Sequence, residues 1–477
     1  EEDKRIKVKF LEKNKGISGN SNEALSLASG DFVALLDHDD MLPPFALHKV
    51  VKTINENPDP DFLYSDEDKI SEDGKKRYDP HFKPDWAPDT MNSYNYICHL
   101  SVIKKNIVDE IGGFREGFEG SQDYDLFLRA STKAKCIVHI PEILYHWRTH
   151  PASVAQLVDA KTYAIVSGKK ALREHLSTDD FDTEVADGVV FSTYRVSYKI
   201  KDCPTVSIII PTKDNILFLK RCLSSVLERT NYPNYKILVV DNSSEEIKTL
   251  KYYEEMKKNA KVSVIAYDKP FNFSAINNYA VSQVKSDYIL FLNNDTEVIN
   301  REWLTSMLEH AQRRDVGAVG AKLYYPDGTI QHAGVILGIG GVAGHAHKYF
   351  PGESFGYFSR LKIIQNMSAV TAACMMLRKE VFEEVGGFDE SFSHAFNDVD
   401  ICLKIRQKGY LIIWTSYAEL YHHESKSRGY EDTPERQERF GKEIMLFQKK
   451  WWGVLQKRDP YYNPNLTLDR EDFSIRL

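Results

Sequence analysis

The stretch YILFLNND, residues 288–295, decides how the rest of this chain is read. Five apolar or aromatic residues in succession predict a strand buried on both faces, and the run stops on two asparagines and an aspartate. A close counterpart, FVALLDHDD, lies at residues 32–40. Superposing the two sets Asp37 against Asn293 and Asp39 against Asp295. A chain that twice ends a buried strand in carboxylates has a use for them.

The correspondence continues downstream. IGGFREGFEGSQDYDLFLR (111–129) parallels VGGFDESFSHAFNDVDICLK (385–404), and LYHWR (144–148) parallels LYHHE (420–424). Three landmarks in one order, at similar spacing, indicate a duplicated domain, not a short-repeat solenoid.

The second copy has a full set of elements. TVSIIIPTKDN (205–215) is an apolar, β-branched run ending in a turn; the helical pattern FLKRCLSSVLERT (218–230) follows, then the strand YKILVVDNSS (235–244). VSVIAYD (262–268), a helix beginning near NFSAINNYAVSQV (272–284) and the strand at 288 complete a predicted βαββαβ order. Strands this apolar predict an α/β fold with a mostly parallel sheet covered by helices on both faces. Ligands of such sheets sit beyond the carboxyl ends of the strands, where Asp241, Asp295 and the Lys213–Asp214 turn would converge.

The first copy has 36 residues ahead of Asp37, too few for the first two strands and their intervening helix, and reads as the later part of a longer domain. The expected organisation is therefore an N-terminally incomplete domain at 1–154, a structured connector at 155–203, a complete domain at 204–450 and a C-terminal extension at 451–477. Helical periodicity at 159–177 and alternation at 188–200 set the connector apart from a flexible linker.

Composition narrows the function. A net charge of −7 over 477 residues gives no electrostatic reason to expect nucleic acid as a partner. The six cysteines show no CxxC pair and fit reduced thiols in the cytoplasm. No apolar run approaches the roughly 20 residues of a spanning helix, so contact with a membrane is expected to be peripheral, at the inner face of the plasma membrane. The stretch FQKKWWGVLQKRDPYY (447–462) is the candidate surface element, although Trp451 and Trp452 read first as core residues, as do Trp147 and Trp414.

Carboxylates at a strand end suit an oxygen-preferring divalent cation, Mg2+ or Mn2+, with His146 or His422 as a further ligand. A second acidic pair opens a predicted helix in each copy: Asp123 and Asp125, Asp398 and Asp400. The first of each pair is the candidate general base, the second a helix cap or a partner for Arg129 or Lys404. The GGF before each pair would let the backbone lie close to a ligand. Lys269, Asn272 and Asn278 can reach a nucleotide, and Asn272 equally can cap the following helix. His345 and His347 form either a metal pair or part of a flexible acceptor-side loop. Cys98 and His99, adjacent in a predicted strand, would face opposite sides.

The order of PTKDN, VVDNSS, NFSAINNYA, LFLNND, GGFDE, NDVDICLK and YHHE resembles the inverting family 2 glycosyltransferases with a GT-A fold. Copy one matches from NKGISGNSNEALSLASGDFVALLDHDD (14–40) onward. YSDEDKISEDGKKRYDPHFKPDWAPD (64–89) is similar to tandem enzymes of bacterial surface-polysaccharide and O-antigen assembly, often described as rhamnosyltransferases. The resemblance implies two GT-A domains in tandem. It places nucleoside contacts at Pro211, Thr212, Asp214 and Asp241, and metal ligands at Asp39 and Asp295. Asp37 and Asn293 fall near the ribose or the metal, His146 and His422 near the diphosphate, and Asp123 and Asp398 at the catalytic base. It implies Mn2+ or Mg2+, a nucleotide-sugar donor such as dTDP-rhamnose or a UDP-hexose, and a lipid-linked or oligosaccharide acceptor. Two departures stand out: Asn-Asn-Asp replaces Asp-x-Asp in copy two, and Gln122 and Asn397 replace the usual Glu before the base. A sugar-1-phosphate nucleotidyltransferase, the competing enzyme class, would need a glycine-rich loop where PTKDNILFLKR has none. One copy acting as a non-catalytic acceptor-binding module is the remaining alternative.

Overall fold

The computed structural model describes residues 3–149, 157–177, 181–423 and 433–476, with the side chains of 157–161 excepted. Its contacts divide the chain into two compact units, Glu1–Val196 with Tyr462–Asn465 and Ser197–Tyr461 with Leu466–Leu477.

The first unit holds strands β1 (Phe32–Ala34), β2 (Phe62–Ile70), β3 (Arg77–His81), β4 (Ser101–Lys104) and β5 (Ile137–Arg148), ordered β1-β4-β2-β3 with β5 also on β2. β4 is antiparallel to β1 and β2, whereas β5 runs parallel to β2. Leu63, Val102, Ile140 and Leu144 pack with Ala46 and Val50 of the helix Ala46–Glu56 into a core. β2 takes Asp66, Glu67 and Asp68 inside with it, and each is matched. Asp66 accepts from Asn463 Nδ2 at 2.9 Å and from the Lys83 amide at 2.8 Å, and Asp68 pairs with Arg77 at 2.6 Å. Unmatched, such buried charges would cost several kcal/mol each, about 3–5 on breaking a pair.

The expected connector does not stand apart. Its helix, Leu157–Leu176, and β6 (Thr183–Asp187) belong to the first unit, and the boundary runs through β7 (Tyr194–Tyr198).

The second unit contains β8 (Val206–Thr212), β9 (Tyr235–Asp241), β10 (Val262–Ala266), β11 (Tyr288–Leu292), β12 (Thr296–Val298), β13 (Val316–Tyr324), β14 (Ile330–His332), β15 (Val335–Leu337), β16 (Ala343–His345), β17 (Gln365–Asn366), β18 (Cys374–Arg378) and β19 (Leu411–His422). Its large sheet runs β10-β9-β8-β11-β18-β13-β19-β12. The first four strands are parallel; β18 is antiparallel to both its neighbours, so the sheet is mixed. A helix absent from the predicted order, Ile247–Met256, joins β9 to β10, making the opening βαβαβαβ. Its buried side is only Thr249, Tyr252 and Tyr253, a stripe too polar to announce itself, but adjacent parallel strands require a crossover there in any case.

The duplication is one of topology. β1-β4-β2-β5 repeats as β11-β18-β13-β19 with the same senses of pairing. In the second unit β11 continues onto β8; among the described residues β1 is the last strand of its sheet.

The helix Pro434–Leu455 crosses the expected boundary at 451. Trp451 is buried and donates through Nε1 to Asp400 at 2.8 Å, as a core residue does; Trp452 is 60% exposed, contrary to that reading. Trp414 is fully buried, but Trp147 is 47% exposed. Among the described residues, no helix is long and apolar enough to cross a membrane.

Candidate active site

A cavity of about 660 Å³ opens where β8 and β11 end. Pro211, Thr212, Lys213 and Asp214 line it from the β8 turn, Asn293, Asn294 and Asp295 from the end of β11, Asp398 from the start of the helix Asn397–Gln407, and His422 from the end of β19. Residues more than 200 positions apart thus share one wall, because β8, β11 and β19 run in the same direction through the sheet and discharge their C-termini on one side.

The β8 turn is built by hydrogen bonding. Asp214 and Asn215 adopt φ of +48° and +54°, a left-handed conformation that Asp and Asn tolerate best among residues with side chains. The Asp214 carboxylate accepts from the amides of Glu245 and Glu246 at 3.0 and 2.9 Å, at the N-terminus of the helix Ile247–Met256. Thr212 Oγ1 accepts from Asn294 Nδ2 at 2.9 Å, tying the two strand ends together. Asp241 sits differently. Its carboxylate accepts from Ser244 N and Tyr253 OH, and it lines a separate depression of about 430 Å³.

Strand register places the acid and the imidazole. β12 pairs antiparallel with β19 so that Thr296 faces His422, and His423 N donates to Asp295 O at 2.9 Å. His422 Nε2 then lies 3.3 Å from Asp295 Oδ1 and 3.4 Å from Asn293 Nδ2. One carboxylate and one imidazole, both opening on the cavity, are a donor set that fits a cation completing its shell with phosphate oxygens; the imidazole suits Mn2+ better than Mg2+.

Asp398 accepts from Val399 N at 2.9 Å and from Ala372 N at 3.3 Å, and burial pushes its pKa above the usual carboxylate range. Asp400, two residues on, turns inward and pairs with Lys450 at 2.7 Å and Lys404 at 3.9 Å.

Asn278 lies outside the cavity lining. Its side chain donates to Phe388 O at 2.9 Å and accepts from Phe388 N at 2.9 Å, clamping the GGF turn. Asn22 does the same to Phe114 in the first unit, at 2.7 and 2.9 Å. Gly113 and Gly387 have φ of +67° and +64°, and a Cβ on either would meet the clamping asparagine at 2.6 and 2.7 Å. Gly113 and Gly387 are therefore needed to make room for the clamping asparagine. Asn272 caps its helix, accepting from Ala275 N at 3.0 Å.

In the first unit, Asp123 accepts from Asn95 Nδ2 at 3.0 Å, and burial raises its pKa, with His99 opposing and Asp37 adding to the rise. Asp125 pairs with Arg129 at 2.6 Å. The Asp39 side chain is 41% exposed, and His146 directs Nδ1 to Asp68. Its strand partner is Met41, one position later than the Thr296–His422 pairing of the second unit implies.

Several residues escaped the sequence reading. Arg436 and Arg439, in the helix Pro434–Leu455, and Phe271, Phe273 and His394 line the cavity of the second unit. Glu67, His99 and the fully buried Lys83 form a charged cluster in the first. Burial alone would raise the Glu67 pKa, but Lys83 and bonds from His81 and His99 hold it well below the usual range. Residues 95–99 are not a strand: Cys98 has φ +31°, and its sulfur lies within 4.8 Å of ligand atoms of Glu67 and His99. Burial raises the Cys98 thiol, which removes it as a nucleophile. His347 is buried and accepts from Tyr357 N at 3.0 Å, so it belongs to a packed segment, not a flexible loop.

The family model for glycosyl transferase family 2 matches residues 1–115 and 207–386. An uncharacterised protein, y4gI, of Sinorhizobium fredii is 49% identical over 99% of this chain, which covers 52% of that protein. The O-antigen biosynthesis protein RfbC of Myxococcus xanthus is 39% identical over the full chain, which covers 37% of RfbC. The chain thus spans about half or less of the length of these relatives. Mannosyltransferase PcManGT from Pyrobaculum calidifontis, solved with GDP-Man and Mn2+, aligns over 66% of this chain and 78% of its own at 15% identity and a TM-score of 0.40, a likeness too loose to carry an argument.

Proposed function

The chain belongs to glycosyltransferase family 2, and from that premise we propose that it comprises two GT-A domains in tandem, the second of which transfers a sugar from a nucleotide-diphosphate donor, with inversion, to a growing bacterial surface polysaccharide. The observation that carries this reading is the gathering of Asp295, His422 and Asp398 around one cavity of about 660 Å³. The surface-polysaccharide acceptor, lipid-linked or free, is supported by full-chain similarity to an O-antigen biosynthesis protein. The donor proposed is dTDP-rhamnose or a UDP-hexose.

Each residue has a task. Pro211, Thr212 and Asp214 hold the nucleoside end, with Asn293 towards the ribose. Asp295 and His422 would hold Mn2+ or Mg2+, which when bound supplies charge neutralisation for the departing diphosphate. Lys213, Arg436 and Arg439 line the same cavity and add to that positive field. Asp398 takes the proton of an acceptor hydroxyl as that oxygen attacks the anomeric carbon; the bond from the anomeric carbon to the phosphate oxygen breaks, and the nucleoside diphosphate leaves with its electron pair. Burial serves this step, since a base with a raised pKa binds the proton more strongly. Asp123, with Asp37, Asp39 and His146, is assigned the corresponding tasks in the first unit, and the protein is proposed to work in the cytoplasm at the membrane face.

The test is incubation with a panel of nucleotide sugars, with Mn2+, with Mg2+ and with chelator. Metal-dependent release of nucleoside diphosphate from at least one donor is expected. No consumption of any donor under any condition would remove the proposal.

A further inference from the structure

With the first unit taken as a transferase site, as proposed above, one imidazole in it has no assigned task. The β1–β4 register sets Phe32 opposite Lys104, and the β11–β18 register sets Tyr288 opposite Arg378. Five residues before Lys104 stands His99; five before Arg378 stands Ala373, which lines the cavity of the second unit together with Asp398. The repeat thus carries a histidine in one unit where the other has an alanine in the wall of its site.

His99 is fixed in place by its neighbours. Its Nδ1 lies 2.8 Å from Glu67 Oε2, and its ring stacks on Tyr145 with centroids 4.5 Å apart. Tyr145 OH accepts from the Asp37 amide at 3.3 Å and donates to Asp40, so the stack ties His99 to the turn that carries the carboxylates. Asn95 links the same loop to the base: it donates to Asp123 at 3.0 Å and accepts from the Cys98 amide at 3.3 Å. His99 Nε2 has no hydrogen-bond partner among the described residues, and 19% of the side chain is open to solvent.

The charge on this group follows from what surrounds it. Burial alone would make His99 less basic, but the Glu67 carboxylate outweighs burial and raises the imidazole above its ordinary value. Glu67 is itself kept ionised by the fully buried Lys83, 3.7 Å away. Both ring nitrogens of His99 then carry protons, one committed to Glu67 and the other a charged donor. Lys83 cannot take that part, because its ammonium donates to the carbonyls of Ile97 and His99 at 2.7 and 2.6 Å. The His99 charge acts on Asp40 and Asp123, so an anion entering among these acids finds its counter-charge at the imidazolium.

We propose that His99 Nε2–H binds an anionic oxygen of the first unit's donor, either a phosphate oxygen of the diphosphate or a carboxylate on the sugar, and that Glu67 is the positioning residue for it. Ala373 offers no donor at the matching place, so the second unit holds its donor without this contact and the two units select differently.

Two measurements on the full chain decide it. Spectra of 15N-histidine-labelled protein at pH 6.5, assigned with H99Q, should show both His99 nitrogens protonated, and E67Q should remove one of those protons; a neutral His99 in the wild type overturns the proposal. Transfer is then measured in the Asp398→Asn background, which leaves the first unit's reaction, with nucleoside-diphosphate hexoses and hexuronic acids as donors. H99A should lower kcat/KM about tenfold with its melting temperature unchanged, and H99Q, which keeps an N–H donor, should recover part of it; H99F replaces H99A should that variant not fold. A loss shared by all donors identifies the phosphate as the partner, and a loss confined to hexuronic acid donors identifies the sugar carboxylate. Unchanged kinetics with every donor, or an H99Q as impaired as H99A, sinks the proposal and leaves the transferase reading standing. An Asp398→Asn protein that consumes no donor ends the transferase reading of the first unit itself.

Discussion

Asp398 is ionised only against the cost of leaving water: burial raises its pKa, while the amides of Val399 and Ala372 recover part of that cost. Because the folded-state pKa lies above the unfolded value, the group's contribution to stability is fully present below the ordinary carboxylate range and is lost as pH rises through the folded value. At neutral pH the carboxylate therefore works against folding. Asp398→Asn should lose the second unit's transfer yet melt about 2 °C higher than the wild type at pH 7.5, with the gap closing near pH 4; calorimetry at both pH values measures it. In the wild type, kcat/KM should rise with pH along a limb displaced upward from the usual carboxylate range, since only the ionised base accepts the proton. A second prediction concerns the cation. Replacing His422 by Ala leaves Asp295 as a lone carboxylate, and the Mn2+ concentration for half-maximal donor consumption should rise about 10- to 100-fold. An unchanged metal titration would exclude His422 as a ligand.

Between elements, the decisive devices are registers and clamps. The β12–β19 pairing brings His422 within reach of Asp295, and the Asn278 clamp closes the GGF turn that leads into the helix bearing Asp398. Asn278→Ala removes hydrogen bonds to both polar groups of the Phe388 backbone and should cost about 1–3 kcal/mol in urea unfolding while leaving the donor KM unchanged. A large rise in donor KM without loss of stability would return Asn278 to the nucleotide site. Asp214→Ala strips an acceptor from the amides of Glu245 and Glu246 and should cost about 1 kcal/mol, and here the donor KM should rise too, because the same turn lines the cavity.

For the chain as one protein, the repeated order β1-β4-β2-β5 and β11-β18-β13-β19 raises the question of whether both units transfer. Asp123→Asn and Asp398→Asn, made separately, should each abolish one addition, so that mass spectra of acceptor products show two different truncated species. Identical product patterns for the wild type and either variant would identify that unit as non-catalytic.

Much of this was legible along the chain. Apolar runs such as SIIIP and YILFL have one stable use, as strands buried on both faces, and charged residues cannot follow them inside without partners, so Asp295 and the Asp214 turn had to fall at strand ends. The second aspartate of each helix likewise had its basic partner four residues away, at Arg129 and Lys404, within one turn of helix. These are short-range regularities, and a linear sequence displays them. The rest depended on which groups meet across long separations. Asn278 was read as a ligand contact because nothing near it in sequence shows that Phe388, 110 residues on, offers it both a carbonyl and an amide. Arg436 and Arg439 carry no local mark of function, and only the fold of the helix Pro434–Leu455 brings them to the cavity wall. Nothing in the acidic run of β2 shows that Lys83 and Asn463 accompany it inside, or that Arg77 pairs with it from the surface. Local pattern sets where each strand ends and what charge stands there; a hydrogen bond needs its two atoms within about 3 Å, and only the closed sheet, with its registers fixed, brings distant residues that close.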